Sequence, residues 1–80
     1  MKTVGLFEQD THIYYTDTNF VVLENPYNGG RPIIVMRHPG IPDMTVVYDI
    51  LERVNMVLIG EPIIREDNLW YQEVKEVKYE

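Results

Sequence analysis

Turn-forming clusters recur at short intervals along this chain, and most of the segments between them are long enough only for strands. The polar run Glu8-Gln9-Asp10-Thr11 separates residues 4–7 from residues 12–15, and this pattern predicts a β-hairpin. Asp17-Thr18-Asn19 marks a second turn, after which the β-branched run Phe20-Val21-Val22-Leu23 predicts a strand. Asn25-Pro26-Tyr27-Asn28-Gly29-Gly30 is the strongest turn signal, because Pro fixes one φ and Asn-Gly-Gly tolerates positive φ. At least one of Gly29 and Gly30 should therefore have φ > 0. Residues 32–36 follow as another strand, with Pro32 at its start where a missing N–H does least harm, and His38-Pro39-Gly40-Ile41-Pro42 ends it.

One segment reads differently. With about 100° of rotation per residue and Val46 at zero, Val57, Ile50, Val54, Val47, Leu58 and Leu51 fall within a stripe of about 140°. Tyr48, Asp49, Glu52, Arg53, Asn55 and Met56 fall opposite. Asp43 is placed to cap the N-terminus and Asn55 to close the C-terminus in the αL conformation, which predicts a helix over residues 44–55. Asp49 and Arg53 stand i,i+4 with the acid first, the favourable order.

Beyond the helix, residues 57–59 predict a strand interrupted by Gly60-Glu61-Pro62. Ile63-Ile64 and Leu69-Trp70-Tyr71 flank Arg65-Glu66-Asp67-Asn68, the pattern of a last hairpin. Residues 69–80 also fit a helical stripe, but Trp, Tyr and Val favour the strand. The fold class is thus α+β: a small, mostly antiparallel sheet of five to six short strands covered by one helix, within a single domain spanning residues 1–80. A half-open small barrel with one helix is the alternative.

The chain has 80 residues and no Cys, so a disulfide cannot compensate for a small core. Without Cys, and with only two His residues at unrelated positions, no recognised metal-ligand spacing is present, and no metal or cofactor is expected. Ser is absent too, which closes the commonest covalent mechanisms and points away from an enzyme. Arg37-His38-Pro39-Gly40 shares residues with the Arg-His-Gly signature of the histidine phosphatases. Pro39 interrupts that signature, however, and the chain is too short for the remaining phosphate ligands.

The formal net charge is −6, which disfavours nucleic acid as a partner. No apolar run approaches the roughly 18 residues that span a bilayer, so a cytoplasmic protein is expected.

These exclusions leave binding. The first expectation is a non-enzymatic protein-binding module: a small adaptor, inhibitor or accessory factor. Small acidic Cys-free chains of this style are frequent among phage-encoded factors that disable a host protein. The expected surface is Tyr48, Glu52 and Met56 on the outer helix face, with Trp70 and Tyr71 near it, since such aromatics and Met suit interfaces. The alternative is a small-molecule or anion site, for a nucleotide for example, built from a backbone nest at Gly29-Gly30 that Arg31 closes. Unguarded sheet edges further suggest a symmetric homodimer.

Overall fold

A computed structural model describes residues 11–24 and 29–77. The first strand of the expected N-terminal hairpin, at residues 4–7, lies outside the described residues. The described elements run β1 (His12–Thr16), β2 (Phe20–Glu24), β3 (Ile33–Met36), α1 (Met44–Val54), β4 (Met56–Leu58), β5 (Ile63–Ile64) and β6 (Trp70–Glu76). All pairings are antiparallel, and the sheet runs β1-β2-β3-β6-β4, with β5 also paired to β6. It is an open sheet packed against one helix, so the α+β reading stands and the sheet does not close into a barrel.

Local chemistry explains the turns. Asp17 ends β1 by accepting the N–H groups of Asn19 and Phe20 on Oδ1, both at 2.7 Å. Burial alone would push the Asp17 carboxyl up. The hydrogen bonds from Tyr15, Phe20 and Asn19, with the nearby charge of Arg37, outweigh it and hold the carboxyl below its usual value. Gly29 and Gly30 both have positive φ, at 76° and 73°, as the turn signal requires. A register shift between Ile13 and Tyr15 makes a β-bulge in β1. Tyr14 and Tyr15 both pack on the helix-side core as a result.

The core explains why two strands lack alternation. Phe20, Val22, Ile34 and Met36 face the helix and cluster with Val47, Ile50, Leu51, Trp70 and Val74. Val21, Leu23, Ile33 and Val35 form a second cluster on the other face and are equally buried. Strands buried on both faces read as continuous apolar runs, which is how β2 and β3 read. β6 instead alternates, with Trp70, Gln72 and Val74 turned to the helix.

Helix α1 ends as its caps dictate. Asp43 accepts the Thr45 N–H at 3.0 Å, and Asn55 sits at φ 61°, ψ 47° with its N–H directed to the carbonyls of Leu51 and Glu52. The buried helix face is Val47, Ile50 and Leu51. Val46, set at the margin of the expected stripe, is 42% exposed because the buried arc centres on Val47 and Ile50. Val57 and Leu58 belong to β4 rather than to the helix stripe.

Leu51→Ala should destabilise the fold by about 2–4 kcal/mol through lost transfer energy and a cavity. Urea unfolding checks this, and a loss within measurement error would remove Leu51 from the core.

The alkaline limb of stability follows from the bulge. The Tyr14 hydroxyl donates to Glu24 at 2.5 Å and is pushed up to about 12 by that bond, by burial, and by the charges of Glu24 and Glu76. Tyr15 is also raised, first by its bond to Asp17. A raised folded pKa means stability is fully present below the unfolded tyrosine value and is lost as pH climbs through the folded one. Stability should therefore fall between pH 10.0 and about 12, and Tyr14→Phe should flatten that fall. Chemical denaturation at stepped alkaline pH measures both slopes; identical slopes would contradict the assignment.

Candidate functional site

The connection between helix and strand creates the most distinctive surface. Because Asn55 reverses the chain in one residue, β4 begins immediately at Met56 and runs beside the last turns of α1. Met56, Val57 and Leu58 pair with Glu76, Lys75 and Val74 of β6, which fixes β4 at the end of the sheet. Between α1 and β4 lies an open groove of about 280 Å³. Tyr48, Leu51, Glu52, Asn55, Met56 and Leu58 are among its lining residues.

Three of the residues expected at a partner surface thus meet in one place, but in different roles. Tyr48 is 60% exposed and Glu52 is exposed, as the helix wheel predicts. Met56 is a correction. It is 3% exposed and belongs to the core rather than to the outer helix face. The wheel fails there because Asn55 ends the helix, and pairing with Glu76 then turns Met56 toward the helix-side cluster. It contributes to the groove from within the core.

Trp70 is likewise buried, at 5% exposed, among the helix-side residues. Its neighbour Tyr71 is half-buried on the opposite face, beside the second cluster. Strand alternation separates this pair, so neither extends the Tyr48 surface. Leu51, Asn55, Val57, Leu58 and Val77 line the groove without having been expected there. The Asn after the helical stripe was the available signal, since an αL residue at that point brings the next segment back along the helix.

Arg31 stands elsewhere. It is highly exposed, and its Nε lies 3.5 Å from Glu73 Oε2. With Ile33, Ile59, Glu61 and Tyr71 these two residues line a depression of about 360 Å³ on the face away from the helix. Gly29 and Gly30 precede Arg31, and no atom comes within 4 Å of where a Cβ would stand on either. Two carboxylates accompany the single guanidinium, so the local charge opposes an anion.

Among the described residues no group of three or more His, Asp or Glu side chains is placed to hold a metal ion, and no helix is long and apolar enough to cross a membrane. His12 makes an edge-on ring contact with Tyr14 at 4.4 Å. His38 is exposed and lies near the carbonyl of Pro39.

The chain matches no family model, no curated protein and no solved structure in comparison with known proteins.

The two groove residues with different burial should separate in stability. Met56→Ala should cost about 2–5 kcal/mol, as for a buried Met, whereas Tyr48→Ala should change stability by no more than about 0.5 kcal/mol. Denaturant titration of both variants checks this; equal losses would mean that Tyr48 is structural.

Proposed function

We propose that the protein is a non-enzymatic protein-binding module that contacts its partner through the groove between α1 and β4. The observation that carries this reading is the meeting of an exposed tyrosine, an exposed carboxylate and an apolar floor along one groove: Tyr48, Glu52, and Leu51 with Met56. Tyr supplies a rigid ring with a polar tip, which loses little conformational entropy on contact. A Met-containing floor adapts to the side chain placed on it. Glu52, within a chain of net charge −6, steers positively charged surfaces toward that face. An adaptor or inhibitor role fits such a surface, because it needs recognition and no reactive group.

The anion-binding alternative has less support. Arg31 is already paired with Glu73, and a bound anion would have to compete with that carboxylate near Glu61.

The test is a double variant, Tyr48→Ala with Glu52→Lys, compared with wild type against a partner recovered by affinity capture. Because both positions are exposed, the melting temperature should be retained. Affinity should fall at least about tenfold, with much of the Glu52 share in the on-rate and sensitive to salt. Unchanged affinity would remove the groove from the binding surface.

A further inference from the structure

The edge of β4 that no described strand covers adds a recognition mode to the groove. Val77 N–H donates to the Asn55 carbonyl and Ile59 N–H donates to the Glu73 carbonyl, both at 2.9 Å. Residues 55, 57 and 59 therefore direct their backbone groups to β6. In an antiparallel ladder the intervening residues point the other way, so the N–H and C=O of Met56 and Leu58 face outward. β4 ends the sheet order, and no described strand pairs with that side.

Both faces beside this edge are hollowed. The groove lies on the helix face, where Met56 and Leu58 point. Val57, whose side chain is exposed on the opposite face with its partner Lys75, lines the groove and also, with Lys75, Glu76 and Val77, a shallow depression of about 500 Å³, so the two hollows meet at this edge. An added strand alternates its side chains between the two faces with a period of two, so a hollow on each face suits it.

We propose that an extended segment of a positively charged protein docks here, pairing its backbone with Met56 and Leu58 and placing alternate side chains in the groove and the opposite depression. This rests on the groove being the contact surface and names the partner's chemistry and form. Charge complementarity selects a basic segment: Glu52 is the charged residue lining the groove, Glu76 and Lys75 balance one another in the other hollow, and the chain carries −6 overall. The same charge repels a second copy of this chain. A three-residue edge also offers a second copy far less than the roughly 1,000 Å² expected of a stable interface.

The experiment uses two blocked hexapeptides as probes, one alternating Val with Lys and one alternating Val with Glu, titrated against the full ¹⁵N-labelled chain. The Lys peptide should shift the amides of Met56 and Leu58 and slow exchange of the Leu58 N–H. The Glu peptide should bind at least about tenfold more weakly. Leu58→Pro deletes an outward N–H that β6 does not use, a substitution that sheet edges tolerate. Leu58→Ala loses the same side chain but keeps the N–H. The Lys peptide should bind Leu58→Ala and fail on Leu58→Pro. Equal binding to both variants would overturn the proposal, as would equal binding of both peptides by wild type. If Leu58→Pro does not fold, the wild-type exchange measurement decides, and an unprotected Leu58 N–H overturns the proposal. A wild-type dimer seen by sedimentation that Leu58→Pro dissociates would assign the edge to a second copy and overturn it too. With the recovered partner, loss of binding on Tyr48→Ala but not on Leu58→Pro would leave the groove reading standing while the strand pairing falls.

Discussion

Three of the other described strands pair directly with β6. It pairs with β3 along one side, at Ile33–Glu73, Ile34–Gln72 and Val35–Tyr71, and with both β4 and β5 along the other. Because β3 and β4 are each antiparallel to β6, they are parallel to one another, with β6 inserted between them. Helix α1 is the crossover that joins them, so its apolar face meets Trp70 and Val74 as well as the earlier strands. Without β6 the helix would cross a gap, and Val47, Ile50 and Leu51 would lose part of their cover. The ladder between β3 and β6 joins residues about 40 positions apart, and such contacts incur loop-closure entropy before they contribute stability.

That dependence separates what the sequence reveals from what it hides. The helix was legible because its evidence is local: a periodic apolar face, Asp43 before it and Asn55 after it. The turns at Asp17-Thr18-Asn19 and Gly29-Gly30 were legible for the same reason, since one side chain or one missing Cβ determines each. Trp70 and Tyr71 were legible as strand residues, and the 63–71 hairpin pairs as expected through β5 and β6. The insertion of β6 between β3 and β4 was not legible, because no spacing pattern records which strands become neighbours. Met56 was misplaced because a helical wheel assumes the helix continues, and a single αL residue ends it. Half of the candidate groove was therefore visible in advance, namely its helical wall of Tyr48 and Glu52. Its strand wall was not.

The side of β6 that carries β4 and β5 shows how a sheet edge is kept short. Two strands of three and two residues share it, separated by Ile59-Gly60-Glu61-Pro62. Pro62 has no N–H to offer a ladder, and Gly60 adopts φ 72°. The carbonyls released by this kink are met by the buried side chain of Gln72, whose Nε2 donates to Gly60 O at 2.8 Å and to Ile59 O at 3.4 Å. A buried amide that satisfies two carbonyls lets the edge break without leaving unpaired polar groups inside. The break matters because a long continuous edge is a template for indiscriminate strand addition. What remains at β4 is short enough to need side-chain contacts in the adjoining groove before a partner segment gains appreciable affinity.

Stability and recognition then draw on different sides of the same elements. Along α1 the inward residues Val47, Ile50 and Leu51 hold the helix on the sheet, while Tyr48 and Glu52 reach the groove from solvent. Along β4 the odd-numbered backbone groups bind β6, while those of Met56 and Leu58 turn outward. Asn55 is the hinge between these two divisions, since its αL conformation sets both where the helix stops and which residues of the next strand face the core. A bulkier L-residue there would be strained at φ 61°, and any shift that relieved the strain would alter the groove and the register of β4 together. The geometry of the candidate site is therefore a consequence of the helix terminus, while the chemistry displayed in it, at Tyr48 and Glu52, is free to vary without cost to the core.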